Sequence, residues 1–306
     1  MVDKLKKVWL DGEFVAWDEA KLPILTHSLH YGLAAFEGIR AYKRASGETA
    51  VFRLRDHIHR LADTCKLIAI QPRFTGRELE TACVELLRVN GVDEAYLRPI
   101  VFVGDDAMGV YAPNNPIRAA IVAWKWGAYL GTGALEKGVR TKVSAWVRHH
   151  PSISLAKGKI TGQYTNSILA KREAKMAGYD EAILLDHTGY VCEGSGENLF
   201  IVKDGVLQTP PAHASILGGI TRETILTLAR EAGLPVVETM ITRDQLYLAD
   251  EVFFTGTAVE VTPVREVDDR AIGTGKPGPV TRQLQELYFA IVKGKDERHP
   301  EWRTAV

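Results

Sequence analysis

The sequence predicts an α+β protein built as two domains, and three observations carry that expectation. Short β-rich segments meet at Asp-Gly pairs, as in VWL-DG-EFV at Asp11 and Gly12 and NLFIVK-DG-VLQT at Asp204 and Gly205, the composition of tight hairpin turns. Between such hairpins lie amphipathic stretches with apolar residues at three- and four-residue spacing, a mixture that favours α+β over a regular doubly wound sheet. Lastly, 306 residues suffice for one large domain or two of ordinary size, and 46% of them are hydrophobic, so a substantial core is affordable.

Four stretches read as helices: RDHIHRLADTCKLIAI from Arg55, GRELETACVELLRVNG from Gly76, TNSILAKREAKMAG from Thr165 and TRETILTLAREAG from Thr221. Three of the four end at glycine, a common helix stop. IRAAIVAW and EVFFTGTA read as strands. The boundary falls in WKWGAYLGTGALEKG, where glycines and aromatics replace strand-like sequence. The expected organisation is therefore a small N-terminal domain over residues 1–123, an interdomain loop over 124–138 and a large C-terminal domain over 139–306. The charged tail KGKDERHPEWRTAV reads as a solvated terminus.

Lysine plus arginine balance aspartate plus glutamate at 38 each, which removes the electrostatic footprint of a general nucleic-acid binder and leaves small molecules as the expected partners. Three cysteines without Cys-x-x-Cys spacing suggest neither a disulfide framework nor a thiolate metal site, and fit the cytoplasm. None of the nine histidines stands in a His-Glu-x-x-His arrangement, so no metal is expected. No apolar run approaches membrane-spanning length. Gly273-Thr-Gly275-Lys-Pro-Gly278 lacks a leading strand and reads as a turn, and Ser195 in EGSGEN lacks the first glycine of a nucleophile elbow.

Two stretches carry chemistry. SISLAKGKITGQY places Lys157 and Lys159 among small and apolar residues just before a helix. Either lysine, partly desolvated, has the setting of the neutral amine that imine chemistry needs. Further on, Gly218 and Gly219 precede Thr221 at a helix start, where backbone N–H groups and the positive end of the helix dipole suit a phosphate. Gly256 and Thr257, at the end of EVFFTGTA, form a second turn able to present such donors.

From Glu193 the chain reads Glu-Gly-Ser-Gly-Glu-Asn-Leu-Phe, then Leu207-Gln-Thr209, then Leu217-Gly-Gly-Ile-Thr-Arg222. With HSLHYGLAAFEGIRAY, AYLRPIVFVGD, WGAYLG and FFTGTAVEVTPV, this resembles the class IV, fold-type IV pyridoxal 5′-phosphate (PLP) aminotransferases over nearly the whole chain, and among them the branched-chain amino acid aminotransferases. The resemblance implies that fold, with the cofactor at the domain interface. It also selects Lys159, in Lys-x-x-Gly-x-Tyr, as the residue joined to PLP. Lys157 lies outside the pattern. It further implies that Glu193 faces the pyridine nitrogen, that Tyr164 bonds the phenolic oxygen, and that Arg60 holds the phosphate with Ile220, Thr221, Gly256 and Thr257. Leu217 and Gly219 fall in the same cofactor-binding signature.

By the same resemblance, Phe36, Tyr31, Trp126 and Tyr129 wall the substrate pocket and Gly38 leaves room in it. Arg98 binds the distal carboxylate of glutamate, while Tyr96 and the backbone at Thr257 and Ala258 hold the α-carboxylate. Tyr31, Met108 and Val110 reach a neighbouring subunit's site, which makes a homodimer the smallest active unit and leaves a hexamer, as a trimer of dimers, open. The implied reaction is ping-pong transamination of leucine, isoleucine or valine with 2-oxoglutarate, Lys159 moving the proton. A D-amino acid aminotransferase, an (R)-amine transaminase and aminodeoxychorismate lyase share the Lys159 and Glu193 framework and stand as alternatives. A PLP carrier without turnover is the alternative of another class.

Overall fold

The computed structural model describes residues 3–127, 129–131 and 133–306. The chain divides into two compact units. The first gathers Met1–Trp126, Gly158–Tyr164 and Ile291–Val306, and the second gathers Gly127–Lys157 and Thr165–Ala290.

In the first unit, strands β1 (Asp3–Lys4), β2 (Lys7–Leu10), β3 (Glu13–Ala16), β4 (Ala34–Phe36), β5 (Ile39–Lys43), β6 (Thr49–Phe52), β7 (Ala95–Val103) and β8 (Ile117–Lys125) form one antiparallel sheet with the terminal strand Arg303–Ala305. Asp11 and Gly12 both have positive φ, 50° and 105°, so the β2–β3 turn takes the handedness that matches strand twist. Across β7 and β8, Leu97 faces Ala123 and Val101 faces Ala119. These residues, with Ala95, Val103 and Ile121, enter the core. Strand alternation therefore sends Tyr96, Arg98 and Trp124 to the opposite face. After the short α1 (His27–Tyr31), the core face is covered by helices α2 (Leu54–Leu67) and α3 (Gly76–Asn90), of which α2 buries Leu54, Ile58, Leu61 and Cys65 and α3 buries Leu79, Cys83, Leu86 and Leu87. A reciprocal cap starts α3: Thr75 Oγ1 accepts from the Glu78 N–H at 3.3 Å and the Glu78 carboxylate accepts from the Thr75 N–H at 2.7 Å.

The tail departs from expectation. Rather than a solvated terminus, Arg303–Ala305 pairs with β6, the buried Trp302 ring meets Phe52 edge-on at 6.1 Å, and Arg53 lies over that indole at 4.9 Å. Hydrophobic burial and ladder bonds outweigh the solvation of the charged residues around them.

In the second unit run β9 (Val139–Val143), β10 (Glu181–Leu185), β11 (Val191–Gly194), β12 (Asn198–Lys203), β13 (Val206–Thr209), β14 (Val236–Glu238), β15 (Glu251–Gly256), β16 (Glu260–Val267) and β17 (Arg270–Ala271). The order β11-β10-β9-β16-β15-β12 returns to β11 through a β11–β12 pairing, so the ladder closes on itself. Its pairs are mostly antiparallel, but β9 runs parallel to both β10 and β16, and β13 runs parallel to β14. Helices α4 (Ala134–Lys137), α5 (Tyr164–Met176), α6 (Ile220–Glu231), α7 (Arg243–Leu248) and α8 (Pro279–Val292) complete the set. The architecture is α+β.

Candidate active site

Lys159 stands in a segment stitched to the first unit's β4. The Phe36 N–H donates to the Lys159 carbonyl at 3.1 Å, the Lys159 N–H donates to Thr64 Oγ1 at 3.1 Å, and Ala35 bridges Ile160. Gly32 lets this happen, since a Cβ there would lie 2.8 Å from the Gly162 Cα. With its backbone fixed, Lys159 directs Nζ to the Tyr164 hydroxyl at 2.6 Å and over the Phe36 ring at 4.8 Å, while Phe36 and Tyr164 meet edge-on at 4.9 Å. A half-buried amine is thus held by one hydroxyl and one ring, with its orientation set.

Beside Phe36, Glu37 is wholly buried and accepts three side-chain bonds: from His57 Nδ1 at 2.7 Å, Arg60 Nε at 2.7 Å and Arg60 Nη2 at 2.8 Å. Burial alone would raise the Glu37 pKa, but Arg60 and His57 overcome it and hold the carboxyl well below the usual carboxylate range. Burial lowers His57 below its ordinary 6.5, only partly opposed by Glu37, so the ring is neutral at pH 7 and bears its proton on Nδ1. For Arg60 the attraction of Glu37 outweighs burial and raises the pKa. The guanidinium expected to hold a phosphate is therefore already anchored along one edge.

On the outer face of β7 and β8, Arg98 lies against three rings, with its guanidinium carbon 4.9 Å from the Phe36 centroid, 5.5 Å from Tyr96 and 5.6 Å from Trp124. Tyr96 also meets Trp126 at 4.5 Å. Gly38 makes room, but for protein: a Cβ there would fall 1.8 Å from the Tyr96 hydroxyl oxygen. Tyr31, Met108 and Val110 are exposed on the same unit, Val110 at 91%, and the Gly109 N–H donates to the Tyr31 hydroxyl at 3.1 Å.

The second unit holds the other expected residues. Glu193, in β11, is buried. Its Oε1 pairs with Arg148 Nη2 at 2.7 Å, and its Oε2 accepts from Asn198 Nδ2 and the Leu217 N–H, both at 3.1 Å. Asn198 also donates to the Leu217 carbonyl at 2.9 Å, so Glu193 and the loop before α6 form one network. Gly219 is the N-cap of α6 and makes no side-chain cap bond. A Cβ on it would fall 1.8 Å from Asn198 Oδ1, which is why the chain passes here as glycine. Ile220 and Thr221, both buried, open the helix. Gly256 ends β15, and Thr257 and Ala258 follow in the turn to β16. The exposed Tyr129 has the Lys171 ammonium 5.5 Å from its ring centroid.

Lys157 has a structural task. Its Nζ donates to three backbone carbonyls, of Ala212, Ala214 and Ile216, at 2.5, 2.8 and 3.0 Å, pinning the loop that leads to Leu217. Sequence reasoning missed Glu37, His57, Arg148, Asn198 and Trp124. Asn198 lies inside the signature already quoted, five residues from Glu193, and Glu37 lies between two residues already singled out, but its partners His57 and Arg60 are 20 and 23 residues away.

The residues present fit PLP by their chemistry. Lys159 offers an oriented amine, Glu193 a buried carboxylate held by three donors, and α6 an N-terminus capped only by glycine, which suits a phosphate. Among the described residues no helix is long and apolar enough to cross a membrane.

Comparison with known proteins agrees. The family model described as amino-transferase class IV matches residues 34–267. The branched-chain-amino-acid aminotransferase of Pseudomonas aeruginosa is 51% identical over 306 residues, covering 100% of this chain and 99% of that one. The crystal structure of the Escherichia coli branched-chain amino acid aminotransferase superposes with a TM-score of 0.96 at 45% identity, covering 98% of this chain and 99% of its own. The branched-chain amino acid aminotransferase from Thermobaculum terrenum, solved in its PLP form, gives a TM-score of 0.93 at 34% identity over 99% of each chain. The chain belongs to the class IV aminotransferases and, within them, to the branched-chain-amino-acid aminotransferase family.

Proposed function

We propose that the chain catalyses PLP-dependent transamination between a branched-chain L-amino acid (leucine, isoleucine or valine) and 2-oxoglutarate, giving the branched 2-oxo acid and L-glutamate in two half-reactions. The observation that carries the reading is Lys159, whose Nζ is held by Tyr164 at 2.6 Å in a chain of this family. Bound PLP supplies an electron sink for the pair left when a substrate's α-proton departs. Lys159 is its covalent anchor and, once released, the base and acid that moves that proton. The Tyr164 hydroxyl orients Nζ. Glu193, fixed by Arg148, Asn198 and the Leu217 N–H, gives the ring nitrogen a carboxylate that cannot rotate away. Leu217, Gly219, Ile220 and Thr221 at α6, Gly256 and Thr257 at the second turn, and Arg60 bind the phosphate.

Phe36, Gly38, Trp126 and Tyr129 bound the side-chain pocket, Arg98 takes the distal carboxylate of glutamate, and Tyr96 with the Thr257 and Ala258 backbone receives the α-carboxylate. The working unit is a homodimer, supported by exposed Ile24, Leu29, Tyr31, Met108, Val110 and Tyr111, apolar surface that a second copy would cover. Three unpaired thiols support a cytoplasmic location.

The test is a set of half-reactions on the PLP-loaded protein, followed through its visible absorbance. L-Leucine should bleach the band faster than D-alanine or an (R)-arylamine, and Lys159→Ala should lack the protein-linked band. Faster bleaching by D-alanine would reject the substrate class, and binding without bleaching by any amine would reject turnover.

A further inference from the structure

One pocket must accept an aliphatic side chain in one half-reaction and a carboxylate in the other. We infer that Trp124 is the residue that makes Arg98 serve both, as a positioning residue that sets the balance between acidic and aliphatic ligands. This rests on the proposed role of Arg98.

Among the described residues no carboxylate lies within ion-pair distance of Arg98. Its only side-chain hydrogen bond among them is a long one, Nη2 to the Tyr96 hydroxyl at 3.5 Å, and its buried Nε has no partner. Leaving a guanidinium so poorly bonded is costly unless something else compensates the charge. Here the compensation is aromatic, from the faces of Phe36, Tyr96 and Trp124. A guanidinium is weakly hydrated and stacks well, so rings can stand in for a counter-ion while an aliphatic ligand is bound. Its N–H groups remain a fork for a carboxylate when an acidic ligand arrives.

The three rings are not equivalent. Phe36 and Tyr96 are buried in the unit, whereas Trp124 is half-buried and borders solvent. Trp124 is fixed by register, directly opposite Tyr96 across the β7–β8 ladder, with the two rings 5.0 Å apart and Trp126 a further 5.6 Å from Trp124. It closes the side on which the guanidinium would otherwise swing toward water. Without it the apolar walls persist, but Arg98 loses its single orientation, and the acidic ligand bears that loss.

The test uses two unreactive ligands, glutarate and 4-methylvalerate, titrated calorimetrically into the PLP-loaded protein. Trp124→Leu should weaken glutarate about fivefold to tenfold, the scale of one cation–π contact, and leave 4-methylvalerate within about twofold of the parent. Trp124→Phe, which keeps a ring, should fall between. Equal weakening of both ligands, or of neither, overturns the inference. Arg98→Met separates it from the reading beneath: if that variant binds glutarate as the parent does, Arg98 is not the carboxylate site and the underlying reading fails. Should Trp124→Leu not fold, the same split between ligands is read on Trp124→Met.

Discussion

Replacing Glu37 by glutamine probes the buried carboxylate to which α2 delivers His57 and Arg60. The side chain is wholly buried, and its two oxygens receive Arg60 at 2.7 and 2.8 Å and His57 at 2.7 Å. Glutamine keeps the shape but removes the charge, and it turns one oxygen into a donor facing donors. The part-buried Arg60 guanidinium then loses the carboxylate that answers its charge. Breaking one partner of a buried pair costs about 3 to 5 kcal/mol, whereas Arg60→Met with Glu37→Gln removes both charges and should recover part of that. The cycle of parent, two single variants and double variant, measured by chemical denaturation of the PLP-free protein, should therefore give a coupling of about 2 kcal/mol or more. PLP should also bind more weakly to Glu37→Gln, because Arg60 loses its anchor. Single-variant effects that add to within about 0.5 kcal/mol in the double variant would refute the claim that Glu37 holds Arg60.

Two further outcomes follow from described contacts. Lys157→Met should strip three carbonyls of their donor and lower stability by about 1 kcal/mol, with faster proteolysis at residues 212–216; Lys157→Arg should not rescue it, and unchanged cleavage would dismiss the pinning role. The pH dependence has a defined sign. His57 in the folded protein titrates below its ordinary 6.5 and Glu37 below its ordinary 4.5, so the unfolded chain binds protons that the folded one refuses, and stability present at neutral pH is lost as acid carries each group through its folded pKa. Denaturation midpoints from pH 8 to 4 should fall less steeply below 6.5 in His57→Gln than in the parent, and parallel curves would contradict the assignment.

Local features were legible because local physics sets them. Asp204 and Gly205 have positive φ as their hairpin requires, and the four amphipathic stretches all form helices. Three of those helices begin one residue before the expected start, at Leu54, Tyr164 and Ile220, because the first turn leaves its N–H groups unpaired and contributes little to the apolar periodicity. What escaped was non-local. β9 finds parallel partners 40 and more residues away, and no turn signal announces such a pairing. Likewise Glu37 is an unremarked acid in FEGIR until α2 delivers His57 and Arg60 to it. Lys159 and Glu193 were separable from their neighbours only by family resemblance, since Lys157 has an equally apolar sequence setting.

The terminal strand also bears on how the chain is made. The first unit takes its residues from 1–126, from 158–164 and from 291–306, and its β6 edge is covered by Arg303–Ala305. On a ribosome the second unit's last residue, Ala290, is synthesised before that strand exists. The β6 edge of the first unit is thus closed only after the whole second unit has been made, and until then the nascent chain carries an open sheet edge of the sort that pairs with strangers.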